Sequence, residues 1–133
     1  MNHSEAKIIQ ADLKTLFLRE HMKPGEIYAG LVLGLNGEPD YHLFVLPGEL
    51  ERGTWQEAGK WAKSQGGELP NRREGRILFA NAKAAFKEAW YWLSEQRAVY
   101  TDCAWLQFFG SGNQYYDLKS NHVRARAVRR IIP

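Results

Sequence analysis

Arg124 and Arg126 alternate along "VRARAV" near the end of this 133-residue chain. On a strand that spacing puts both guanidinium groups on one face and Val123, Ala125 and Ala127 on the other. Two such groups bind phosphate or carboxylate in bidentate geometry. They serve equally as scaffold ties to carboxylates on neighbouring helices, which is the simpler reading. Cys103 is the only cysteine, so no disulfide and no cysteine cluster for a metal can form within the chain. In "DCAW" it reads as a small buried hydrophobe. His3, His21, His42 and His122 show no helix-face ligand spacing. Ser111 lies in "GSG" rather than in a nucleophile elbow. "GLVLGLNG" lacks the following Lys-Ser/Thr of a phosphate loop. Glu57 and Glu74 have the spacing of helix-start residues, leaving Glu88 as an isolated acid. No catalytic residue, metal or cofactor is expected, and the chain reads as a non-enzyme.

The elements that would position these residues are marked by local signals. Ile9, Leu13, Leu16 and Phe17 recur at helical spacing between about Glu5 and His21, and "KPG" ends that run. "EIYAGLVLGL" and "YHLFVLP" read as two strands joined by "NGEPD", where Asn36-Gly37 supplies positive φ. Thr54 with Glu57, and Asn71 with Glu74, have capping-box spacing ahead of two helices. The first places Trp55, Ala58, Trp61 and Ala62 on one face and stops at Gly66-Gly67. The second is expected to line Ile77, Leu78, Ala82, Ala85 and Phe86 along one side. After Trp90, "AWLQFF" and "QYYDL" flank the turn "GSGN", and "VRARAV" reads as a last strand. The expectation is one α+β domain: an N-terminal helical extension over residues 1–24, then residues 25–133 with two central helices and an antiparallel sheet.

Composition agrees with a globular domain: 44% hydrophobic and 25% charged residues are ordinary proportions, and this length can bury a core unaided. The formal charge of +3 is concentrated in Arg124, Arg126, Arg129 and Arg130, a weak pull toward polyanions. "MNHSEAKIIQ" has no charged region followed by an apolar one, and no apolar run reaches membrane length. A cytoplasmic protein without a membrane partner is expected.

The ordered set "TWQEAGKWAKSQGGELPNRRE", "YWLSE", "AWLQFFG" and "RARAVRR" resembles the Lcl C-terminal-like family, a bacterial and phage domain. That family carries a Trp-Ala helix, Gly-Gly-x-Leu-Pro-[Ser/Thr]-x-x-Glu, Tyr-Trp-Ser, Ala-Trp with a later Phe and Gly, and Arg-x-x-x-Val-Arg. The match runs from about Thr54 to Arg130. Asn71 stands where Ser or Thr is usual, and Leu93 interrupts Tyr-Trp-Ser. The resemblance implies a C-type-lectin-like fold, akin to sulfatase-modifying domains, in which the chain ends share a sheet and later hairpins display a ligand face. It names no chemistry. Lectin-type calcium binding would need oxygen ligands in a long loop, whereas "EPD" at Glu38 to Asp40 reads as a turn. Formylglycine chemistry would need paired cysteines.

Within that frame Trp105 and Phe109 match the family's core aromatics. Leu106 and Phe108 then point outward beside Tyr115 or Tyr116, unless the N-terminal helix covers them. The expected contact set is Leu106, Phe108, Tyr115, Tyr116, Lys119 and Asn121, meeting a protein partner, a host factor if the gene is phage-borne. Alternatives are a nucleic acid held by Arg124, Arg126, Arg129 and Arg130, and an enzyme on a sulfatase-modifying-like fold. The N-terminal helix offers a route to a homo-oligomer.

Overall fold

Asn2 opens the first helix, α1 (His3–His21). Its side chain accepts from the Glu5 N–H while Glu5 reaches back to the Asn2 N–H, so two free donors are satisfied reciprocally. The computed structural model describes residues 2–133, the side chains of residues 7–11 excepted; Ile9 lies among those exceptions. Strands β1 (Ile27–Val32) and β2 (Tyr41–Val45) form a hairpin. Asn36 and Gly37 turn with φ of 54° and 82°, and Asp40 accepts the Gly34 N–H at 2.7 Å. The "EPD" stretch is thus part of the turn.

A short strand that the sequence did not announce, β3 (Leu50–Gly53), precedes α2 (Trp55–Ser64). Both capping boxes form as their spacing implies, at Thr54–Glu57 and at Asn71–Glu74, the latter starting α3 (Arg72–Asn81). α3 is shorter than its apolar pattern suggested. The Asn81 side chain donates to Ala29 O at 2.7 Å, and a 3-10 turn over Lys83–Ala85 follows. That turn lays Phe86 flat on Phe109, with centroids 3.9 Å apart.

The remaining strands are β4 (Trp90–Gln96), β5 (Cys103–Phe108), β6 (Gln114–Leu118), β7 (Val123–Ala125) and β8 (Val128–Ile131). One sheet has the order β1-β2-β8 and the other β3-β7-β4-β5-β6. The fold is therefore α+β, with early and late strands sharing the smaller sheet. All pairings are antiparallel except β4 with β7, which is parallel, a departure from the purely antiparallel expectation.

"VRARAV" is not one strand. Val123 and Ala125 pair with β3, whereas Val128 pairs with Val45 in the other sheet. Between them Arg126 donates to Ala85 O and Leu46 O. Alternation is preserved through the switch, with Ala125 and Ala127 buried, so the sequence pattern alone could not reveal it.

The larger sheet is clamped on both faces. Ala58 and Ala62 of α2 pack on Trp92, Ala104, Leu106 and Ala125. On the opposite face Leu78 of α3 shares a core with Tyr91 and Phe109, and Leu43, Val45 and Val128 of the smaller sheet join it. Each fully buried Leu, Val or Phe contributes roughly 1.5–3 kcal/mol. The indole of Trp92 also donates to Gly53 O at 2.9 Å, so its burial leaves no donor unpaired.

α1 lies on the outer side of the smaller sheet through Phe17, whose ring centroid is 4.0 Å from that of His42. Arg129 ties its last turn by donating to His21 O at 2.7 Å. Leu13 and Leu16, read as part of the helix's apolar spacing, are 61% and 55% exposed. The described ring contacts of α1 with the sheets are all with the smaller one, Phe17 meeting Tyr28, His42 and Phe44.

Candidate functional site

β5 and β6 pair in register, Trp105 with Tyr116, Leu106 with Tyr115 and Gln107 with Gln114. Strand alternation then separates two faces: Leu106, Phe108 and Tyr115 on the α2 side, and Trp105, Gln107 and Tyr116 on the α3 side. The alternation along β5 is as the sequence implied, and the register assigns Tyr115 rather than Tyr116 to the Leu106 face. Phe109 is buried in the core as expected, but Leu106 and Trp105 are not placed as expected. Leu106 is 4% exposed and belongs to the core beneath α2. Trp105, expected in the core, is only half-buried. Helices cover both faces of this sheet, so neither face of β5 is free along its whole length.

What does reach solvent is the edge at β6. Tyr115 is 59% exposed and stacks on Tyr116 with centroids 4.7 Å apart. Tyr116 stacks in turn on Tyr100 at 5.9 Å and meets Trp105 edge-on. Beside Tyr115 runs an open groove of about 620 Å³, lined by Trp90, Leu106, Asp117, His122 and Arg124 among others. Phe108 is half-buried against Trp90 at 5.3 Å. Sequence reasoning missed Trp90 as a groove residue, because the chain near it signals only a strand start.

Lys119 and Asn121 are not assembled with the tyrosines. The Lys119 ammonium lies over the Trp55 ring at 4.6 Å and bonds Gln96 Oε1 at 2.5 Å. Asn121 donates to Asp117 Oδ1 at 2.8 Å, and the same oxygen accepts the Leu118 N–H, so these groups shape the turn after β6.

The C-terminal arginines are scaffold ties. Arg124 meets Glu49 at 2.8 Å. Arg126 gives its donors to two carbonyls, and burial lowers its affinity for a proton. Arg129 holds Glu26 through two bonds of 2.5 and 2.7 Å. Arg130 holds Glu74 and stands 3.4 Å from Glu68. The helix carboxylates expected for Arg124 and Arg126 are not their partners: Glu49 lies outside the helices and Arg126 meets carbonyls, while Glu74 on α3 is held by Arg130. Arg124 and Arg126 are not presented as an anion clamp.

Buried hydroxyls show the same structural use. Tyr91 donates to Glu49 and Tyr41 donates to Glu74. Burial first, then the adjacent carboxylate, pushes each phenol up to about 12, so both remain protonated donors at neutral pH. Burial and then Asp102 and Asp117 raise the Cys103 thiol, which keeps it protonated as well. Among the described residues no group of three His, Cys, Asp or Glu is placed to hold a metal ion, and no helix is long and apolar enough to cross a membrane. No family model matches the chain, and no curated protein does.

Proposed function

We propose that this chain is a non-enzymatic, C-type-lectin-like binding module of bacterial or phage type. It grips a protein partner, a host factor in the phage case, along the β6 edge and the adjoining groove in a cytoplasmic setting. The observation that carries this reading is Tyr115: a large ring, mostly exposed, stacked on Tyr116 and standing over a groove that Trp90 also lines. Such a ring offers wide contact area with a polar tip, and its stacking neighbour has already restricted its rotamers. The shared sheet of early and late strands, with two helices and later hairpins, supports the lectin-like reading.

A protein partner is favoured over a nucleic acid bound at the C-terminus because Arg124, Arg129 and Arg130 each sit on a carboxylate. Binding is favoured over catalysis because the groove's Asp117 and Arg124 are already tied to Asn121 and Glu49. The test is an affinity capture from bacterial lysate at low and high salt, with and without nuclease, followed by titration of the captured protein. Capture that survives salt and nuclease and is lost in Tyr115→Ser supports the reading. Equal capture by Tyr115→Ser, or capture that disappears with nuclease, overturns it.

A further inference from the structure

Three arginines on the α3 side of the larger sheet escape the ion pairs that occupy the C-terminal ones. The Arg72 guanidinium lies 3.5 Å from the Trp105 ring centroid. That of Arg97 lies 5.0 Å from the same ring and 4.5 Å from Tyr116. Arg76 is exposed one helical turn beyond Arg72, on the same face of α3. Among the described residues none of the three has a carboxylate within ion-pair distance. Glu95 borders the strip, but its carboxylate accepts the Arg72 backbone N–H at 2.7 Å.

The strip is held in place from beneath. Fully buried Gln107 donates to Gly75 O at 2.7 Å and accepts from Gln114 at 2.8 Å. Gln114 also donates to Arg72 O, and its own oxygen accepts from Arg72 Nε at 3.0 Å. This amide chain occupies the Nε proton and holds the guanidinium over Trp105, and its remaining donors are unpaired among the described residues. Arg97 Nε is likewise buried without a partner. Next to these cations the Tyr115–Tyr116–Tyr100 stack ends in two exposed rings, Tyr115 and Tyr100.

We propose that this strip binds single-stranded nucleic acid, its phosphates on Arg97, Arg72 and Arg76 and its bases on the outer faces of Tyr100 and Tyr115. Unpaired cations in a row suit a linear polyanion, and stacked rings with open ends suit the flat face of any base. A lone phosphate would leave the rings unused. An acidic peptide would match the cations without matching a ladder of parallel rings. A duplex keeps its bases stacked on one another, away from the tyrosines. The site goes beyond the protein-binding reading, sharing only the tyrosines at the edge, and uses arginines other than the C-terminal four.

The experiment is fluorescence anisotropy with a labelled oligo-dT of about fifteen nucleotides, titrated at increasing salt. The wild type binds with a log–log salt slope of about −2, near 0.7 for each of three phosphate contacts. Arg76→Ala/Arg97→Ala, which removes one exposed and one half-buried side chain, loses roughly tenfold or more in affinity and flattens the slope by about 1.4. Arg19→Ala, exposed on the last turn of α1 and away from both the groove and the strip, binds as the wild type does. Tyr100→Ser weakens binding at unchanged slope. Melting curves of every variant report the fold separately. No binding at about 50 mM salt, wild-type affinity in the double variant, or equal affinity for a duplex overturns the proposal. Polyglutamate displacing the probe as well as unlabelled oligo-dT also overturns it, and assigns the strip to an acidic peptide. Loss of oligonucleotide binding would leave the protein-capture result untouched, so the two readings fail separately.

Discussion

Arg130 meets Glu74 through two parallel hydrogen bonds, Nε to Oε2 at 2.6 Å and Nη2 to Oε1 at 2.8 Å, joining the last strand to the first turn of α3. The carboxylate is fully buried and also accepts from Tyr41 at 2.7 Å and from the Asn71 N–H at 2.9 Å. Burial alone would raise its pKa, but the bonds from Arg130, Asn71 and Tyr41 outweigh that and hold it below the usual carboxylate range. Glu74→Ala leaves a cation and a phenol without their main partner and is expected to cost about 3–5 kcal/mol, read by urea denaturation. A cost near zero would show that the pair is not a structural tie. Because the folded pKa is depressed, the stabilisation is complete above the unfolded value of roughly 4.3 and is lost as pH falls through the folded one. Glu74→Gln should flatten the acid limb of the stability curve.

His42 gives a pH dependence of the same sign at a higher pH. Burial first, and then the nearby His21, lower its pKa. Its Nδ1 pairs with the Tyr28 hydroxyl at 2.7 Å, and its ring packs at a 33° tilt against Phe17 of α1. A depressed histidine favours the neutral form in the folded state, so its stabilisation is present above about pH 6.5 and declines as pH falls below that value. After correction for the intrinsic slowing of exchange, protection along residues 12–21 should fall from pH 7 to pH 5.5. His42→Phe should remove that fall. Identical behaviour of the two proteins would mean that His42 does not govern the docking of α1.

The two hairpin neighbours Leu106 and Tyr115 should separate packing from contact. Leu106→Ala opens a cavity among Trp92, Ala104 and Ala125 and is expected to cost about 2–5 kcal/mol. Tyr115→Ser, at a mostly exposed site, should stay within about 0.5 kcal/mol of the wild type. Denaturant midpoints give both numbers. A large loss for Tyr115→Ser would assign that ring to the scaffold.

Gly75 is the contact point between α3 and the amide chain under Arg72. A Cβ there would lie 2.8 Å from Gln107 Oε1, 3.1 Å from Leu93 Cδ2 and 3.3 Å from Gln114 Nε2. Alanine gains about 1 kcal/mol as a helix former, while displacing buried neighbours costs about 1–3 kcal/mol. Gly75→Ala should therefore be no more stable than the wild type, and the side-chain amide signals of Gln107 and Gln114 should shift in NMR spectra. A clear gain in stability with unshifted amides would show that the contact yields easily.

The sequence by itself determined the features whose causes lie within three or four residues. The Thr54–Glu57 and Asn71–Glu74 caps, the Asn36-Gly37 turn, the stop at Gly66 and the β5–β6 hairpin all follow from backbone donors and φ preferences that neighbouring side chains satisfy. The even spacing that sorted Leu106 and Phe108 from Trp105 and Gln107 was legible for the same reason, whereas the register that puts Tyr115 beside Leu106 was not. Tertiary structure alone decided which of those faces is buried, because that depends on α2 and α3 closing over opposite sides of one sheet. It also decided that "VRARAV" changes sheets, since alternation is the same in one strand or two. The arginines were settled in the same way. Arg129 and Arg130 find Glu26 and Glu74 far along the chain, whereas Arg72 and Arg97 come to rest on Trp105 with no carboxylate in an ion pair with them among the described residues. Charge pairing acts across a few ångströms of space, and only the fold sets which residues share them.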